Sequence, residues 1–114
     1  MRSNGLVDNK HTIDYICIMK LFDWSLEKNE ELKLHRKISF EDIVFAISRD
    51  GLLDVIAHPK QQLYAGQRIF IVNVDDYVYI VPFVEDEITV FLKTIIPSRK
   101  MTKKYLGGKP HENK

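Results

Sequence analysis

The residues best suited to chemistry lie near the end of the chain. In the stretch IIPSRKMTKKYL, residues 95–106, an apolar run meets a proline and turns basic at once, with Arg99, Lys100, Lys103 and Lys104 falling within six residues. On a helix, at roughly 100° per residue, these four sit at about 0°, 100°, 40° and 140° and share one arc. Met101 and Tyr105, at about 200° and 240°, form a separate apolar flank that can dock on a sheet. Like charges at i,i+4 repel by about a few tenths of a kcal/mol each, and this segment carries no acid to offset them. A face built only for solvation would mix signs, as residues 26–36 do. The arc therefore points to an anion, either nucleic acid or an acidic partner protein, with a solvated terminal helix as the alternative.

Other candidates are more scattered. Arg68 opens a predicted strand at 67–74 and Lys93 lies in another at 88–97; each can share a sheet face with the arc or stand in solvent. His35 and Arg36 end a predicted helix, where positive charge complements the negative end of the helix dipole. His35 is also a candidate proton carrier, because histidine titrates near neutral pH without perturbation.

The elements that must position these residues follow from pattern. IDYICIMKLFDW (13–24) alternates loosely and is rich in β-branched and aromatic residues, which predicts a strand. Ser25 is an N-cap for a helix over 26–36. SFED (39–42) has the Ser-x-x-acid form of a second helix start, and Phe40, Ile43, Val44 and Ile47 recur at helical spacing up to a stop at Gly51. LLDVIA (52–57) predicts a short strand, followed by a loop. Strands at 67–74, 77–84 and 88–97, joined by turns at Asp75-Asp76 and Glu85–Glu87, predict an antiparallel meander. Pro82 cannot donate to a ladder and marks a bulge or an edge. Ser98 caps the final helix. The expected fold is α+β: an antiparallel meander sheet with an N-terminal strand, two helices on one face and a short C-terminal helix.

Length and composition bound the rest. The chain has 114 residues, 45% apolar and 29% charged, with a formal net charge of +1, so one domain is expected and steering of any anion must come from a local patch. The only cysteine, Cys17, allows no internal disulfide, fits a reducing cytoplasm and reads as core packing. No apolar run approaches the roughly 20 residues of a membrane span, so no membrane partner is expected. The four histidines lack metal-ligand spacing, so no metal site is expected. Residues 1–18 read as an N-terminal extension, 19–106 as the functional domain and 107–114 as a flexible tail.

Taken together, MKLFDW at 19–24, ISFED with Ser39 fifteen residues after Trp24, an arginine at the head of a meander strand and a closing IPSRKMTKKY resemble the BrnT-type toxins of bacterial type II toxin–antitoxin systems. The resemblance runs from Met19 to about Leu106. It implies a RelE-like fold and a cytoplasmic endoribonuclease that stops translation without metal or other cofactor. It also implies a cognate antitoxin, commonly of the ribbon-helix-helix type, through which alone the protein would meet DNA. Carried onto this chain, Arg99 and Arg68 would hold the scissile phosphate and His35 would carry a proton, with Tyr79 or Tyr105 as weaker carriers. Lys100, Lys103, Lys104 and Arg36 would grip flanking phosphates. One departure is clear: where the family has Lys-His-Gly, this chain has His35-Arg36-Lys37, losing a glycine suited to a left-handed helix cap at a cost of about 1 kcal/mol if that backbone is kept. A non-catalytic RNA-binding or antitoxin-binding domain is the alternative.

Overall fold

The structure, a computed structural model, describes residues 20–107. The chain runs β1 (Leu21–Trp24), α1 (Leu26–Arg36), α2 (Phe40–Ser48), β2 (Leu52–Ala57), β3 (Arg68–Val74), β4 (Tyr77–Glu85), β5 (Thr89–Leu92), β6 (Ile96–Pro97) and α3 (Arg99–Leu106). The sheet order is β1-β5-β4-β3-β2, with β6 also paired to β4. The α+β class is as expected; β3 pairs antiparallel with β4 and β4 with β5, but the strand expected over 88–97 is split into β5 and β6. The sheet as a whole is mixed, because β1 runs parallel to β5, with Leu21 beside Thr89 and Trp24 beside Leu92. No hairpin joins these two strands, so nothing forces them antiparallel. The predicted strand at 13–24 is seen over its last four residues; its first part, like the proposed extension and most of the tail, lies outside the described residues.

Both faces of the sheet are covered in part. On one, Leu32 of α1 and Phe40, Ile43 and Ile47 of α2 pack on Phe70, Val72, Val81, Phe83, Val90 and Leu92. Phe70 and Phe83 stack with centroids 3.9 Å apart, and Trp24 stacks on Phe40 at 5.6 Å. On the other face, Met101, Tyr105 and Leu106 of α3 pack on Ile69, Ile71, Val78 and Ile80. Cover on both sides is why Ile69, Phe70, Ile71 and Val72 are all buried, where a half-solvated strand would alternate.

Local signals set the helix ends. Ser25 accepts from the Lys28 amide, and Ser39 and Asp42 form a reciprocal capping box. Asn29, 2% exposed, joins α1 to α2: its Oδ1 accepts from the Phe40 amide at 2.7 Å and its Nδ2 donates to Glu41 Oε1 at 2.8 Å. That second bond is the main reason the Glu41 carboxyl is held below its ordinary pKa. Gly51 sits where any side chain would collide, since an added Cβ would lie 2.7 Å from both the Ala46 and Asn73 carbonyl oxygens. Lys37 caps α1 at φ 58°, ψ 33°, the left-handed conformation that glycine would adopt at less cost.

The ladder of β2 with β3 shifts register between Leu52 and Asp54, and a second break, along β4, fixes where α3 begins. Phe83 pairs with Leu92, yet Ile80 pairs with Ile96, so three steps along β4 are matched by four along its partner. The extra residue is a bulge at 93–95. Lys93 donates to the Pro82 carbonyl at 2.8 Å, so Pro82 turns its nitrogen, which has no hydrogen, toward the same bulge. Arg36, at the end of α1, donates to the Ile95 carbonyl at 2.5 Å.

Two stability outcomes follow from these contacts. Asn29→Ala, which leaves the Phe40 amide buried without its acceptor, is expected to cost about 1–3 kcal/mol, read as a lower denaturant midpoint at unchanged slope. An unchanged midpoint would remove Asn29 as the joint between the helices. Lys37→Gly is expected to raise stability by up to about 1 kcal/mol in the same assay, and a loss would show that Lys37 contributes contacts outweighing its backbone cost.

Candidate phosphate-binding site

α3 presents the arc that the sequence describes. Arg99, Lys100, Lys103 and Lys104 are exposed, while Met101 and Tyr105 are half-buried and Leu106 is buried against the sheet. No carboxylate among the described residues forms a salt bridge with any of the four; those present join Lys20 and Arg68 to Glu85, Lys28 to Glu31 and Lys33 to Glu30. Lys104 lies over the Tyr105 ring at 5.6 Å.

Four side-chain bonds hold the helix in place. Ser98 Oγ accepts from the Met101 amide at 3.1 Å and caps the first turn. Thr102 Oγ1 donates to the Ser98 carbonyl at 2.7 Å and accepts from the Val78 amide of β4 at 2.9 Å. Farther along, the Tyr105 hydroxyl donates to Asp54 of β2 at 2.9 Å. The helix therefore starts at the β4–β6 edge and crosses β4 and β3 toward β2, turning its cations to solvent. Burial first, and then the Asp54 carboxylate, push the Tyr105 phenol above its ordinary pKa.

The other expected site residues are not gathered around this arc. Arg68 lies on the opposite face of the sheet, its guanidinium 5.4 Å from the Phe83 ring and paired with Glu85, which also holds Lys20 at 3.2 Å. Arg68 stands opposite Phe83, and Tyr77 stands opposite Val74 at the other end of the hairpin. Six residues separate Phe83 from Tyr77, roughly 20 Å at about 3.3 Å per residue. His35 is exposed on the outer surface of α1, in a shallow groove with Glu27, Glu30 and Glu31, where an anion would be repelled. Arg36 is exposed too, but its guanidinium is committed to the Ile95 carbonyl in the bulge. α1 lies on the sheet face opposite α3, so neither residue joins the arc.

A cleft of about 580 Å³ opens near the start of α3, on the α1–α2 side of the sheet, and pattern alone did not reveal it. It lies between the α1–α2 connection, α2 and the β3–β4 turn, and its walls include Lys37, Asp42, Arg49, Asp75, Tyr77 and Tyr79. Tyr79 pairs across the edge with Pro97, and the Ser98 amide donates to the Val78 carbonyl at 3.0 Å. Arg99, the next residue, therefore leaves the sheet edge beside Tyr77. The alternation of β4 was the available signal: Tyr77 and Tyr79 project on the face of Val81 and Phe83, but beyond the end of the helical cover. Burial raises the Tyr79 phenol above its ordinary pKa, with added contributions from Tyr77, Asp75 and Asp42.

The dock of α3 makes a pH-dependent prediction. A raised folded-state pKa means the Tyr105 contribution is intact below the ordinary phenol value near 10 and is lost as pH rises through the folded value. Tyr105→Phe is expected to cost about 1 kcal/mol at neutral pH and to flatten part of the alkaline loss of stability. Parallel stability curves for the two proteins above pH 10 would contradict this.

No protein-family model matches the chain, and neither a curated protein nor a solved structure matches it.

Proposed function

We propose that the protein binds single-stranded RNA through the outer face of α3 and acts as the toxin of a type II toxin–antitoxin pair, cleaving that RNA and so stopping translation. The observation that carries the binding reading is the arc of Arg99, Lys100, Lys103 and Lys104, four exposed cations that no described carboxylate pairs. Such an arc pays its self-repulsion back when it meets phosphates. The toxin reading draws its support from the resemblance of the MKLFDW, ISFED and IPSRKMTKKY segments to BrnT-type toxins, whose RelE-like arrangement is likewise proposed for this sheet.

Arg99 is the proposed phosphate ligand, since its planar fork suits two phosphate oxygens. Lys100, Lys103 and Lys104 act as point charges for the flanking backbone. In the proposed reaction the RNA 2′-hydroxyl gives its proton to a solvent water as it attacks the adjacent phosphorus, the bond to the 5′-oxygen breaks, and that oxygen takes a proton from a phenol that solvent then reprotonates. A 2′,3′-cyclic phosphate and a 5′-hydroxyl result, with no change of oxidation state. Tyr79, paired with Pro97 at the strand edge before α3, is the phenol proposed for the second proton transfer. Arg68 lies on the sheet face opposite α3 and His35 on the outside of α1, and the proposed phosphate site does not include them.

A second reading is favoured by the same geometry. Four exposed cations on one helix face suffice for a domain that binds RNA or an acidic antitoxin without cutting. Salt dependence and expression separate the cases. Four phosphate contacts predict a log–log slope near −2.8, at roughly −0.7 per contact, and Arg99→Ala should lower the slope by about one contact. Expression of the wild type should arrest growth with loss of RNA, and Arg99→Ala should abolish both while staying folded. Undiminished toxicity of Arg99→Ala would sink the assignment. RNA binding without cleavage or arrest would select the second reading.

A further inference from the structure

We propose that the cleft walled by Tyr77 and Tyr79 is a base-binding subsite, taking one unstacked nucleobase that carries an exocyclic amino group. The inference rests on the reading of α3 as an RNA-backbone site and adds what the RNA must present next to the bound phosphate.

Size, position and wall chemistry each support it. About 580 Å³ falls within the range of small-ligand pockets, roughly 300–1,000 Å³. The Ser98 amide bonds the Val78 carbonyl, so the backbone of Arg99 leaves the strand edge at the level of Tyr77, which lines the cleft. The Tyr77 and Tyr79 rings meet edge to face, 5.6 Å apart at 64°, and both are half-buried. This arrangement fixes the rings and leaves aromatic surface for stacking, which is how unpaired bases are held.

The charges select within that class. Asp42 and Asp75 place two carboxylates close enough to Tyr79 to raise its phenol pKa. Carboxylates only accept hydrogen bonds, so they repel phosphate and favour an edge that donates, such as the amino group of cytosine or adenine. Uracil offers a carbonyl at the corresponding position and meets an acceptor with an acceptor. Lys37 and Arg49, also on the walls, oppose entry of a lysine or arginine side chain and attract the backbone on either side of the base.

The full chain is titrated calorimetrically with the dinucleotides CpC and UpU, which differ at ring position 4 by amino against carbonyl. CpC is expected to bind at least about fivefold more tightly. Tyr77→Ala should weaken CpC by about five- to a hundredfold, and Tyr77→Phe, which keeps the ring, should not. Asp75→Asn, which tolerates the left-handed turn at φ 54°, should bring CpC toward UpU and leave UpU unchanged. Cytidine, which lacks phosphate, should shift the ring resonances of Tyr77 and Tyr79. Equal binding of CpC and UpU, or full CpC affinity in Tyr77→Ala, would overturn the proposal. Ring shifts caused by arginine amide and not by cytidine would overturn it in favour of a basic side chain. Should Arg99→Ala leave oligonucleotide affinity and salt slope untouched while cytidine still shifts the rings, the backbone reading fails and the base subsite stands.

Discussion

A missing hydrogen determines much of this fold. Pro82 has no amide proton to offer the strand beside it, and the ladder there gives way to the bulge at 93–95. The bulge moves the remaining pairing by one residue, which seats Ile96 and Pro97 against Ile80 and Tyr79. Ser98 then meets Val78, and α3 departs at the level of Tyr77. Without the shift, each residue from 96 onward would point to the other face of the sheet, and the cationic arc would have no fixed relation to the tyrosines. Arg36 secures the arrangement by donating to the Ile95 carbonyl at the irregularity, so the end of α1 and the start of α3 are tied to one point.

The exposed cations and the larger core are divided between the two layers. α1 and α2 build the larger core, with Phe40, Ile43, Phe70 and Phe83 fully buried. α3 adds a smaller cluster on the other side and is held by polar bonds at both ends, through Thr102 to β4 and through Tyr105 to β2. A short helix with four cations that no described carboxylate pairs gains little from its own sequence, and its position comes from these bonds and from Met101, Tyr105 and Leu106. The surface that carries the charge is thus fixed to a rigid sheet, as a binding surface that reads spacing along a backbone requires.

Much of this was legible in the sequence because the signals were local. The caps at Ser25, Ser39 and Ser98 gave three helix starts, and the two flanks of α3 followed from helical spacing. The irregularity at Pro82 followed from its missing donor, and the strained backbone at Lys37 from the absence of glycine. What was not legible depended on long-range partners. The parallel pairing of β1 with β5 cannot be read from either strand. Arg68 lies on the far face because its parity matches Phe70 and Val72, and a strand-end position alone leaves that face unassigned. The committed states of Arg36 and Arg68 depend on Ile95 and Glu85, residues distant in sequence. The cleft needed three separate segments brought together, so no single stretch announced it.

The proposed RNA surface is the outer face of α3 with the adjoining edge of the sheet. Amide and side-chain resonances of the full chain, followed during titration with a short single-stranded RNA, read it out residue by residue. Shifts are expected at Arg99, Lys100, Lys103 and Lys104, continuing to Tyr77 and Tyr79, with Arg68 and His35 unmoved. Shifts centred on Arg68 or His35, with α3 silent, would place RNA on the other face of the sheet and overturn the proposal.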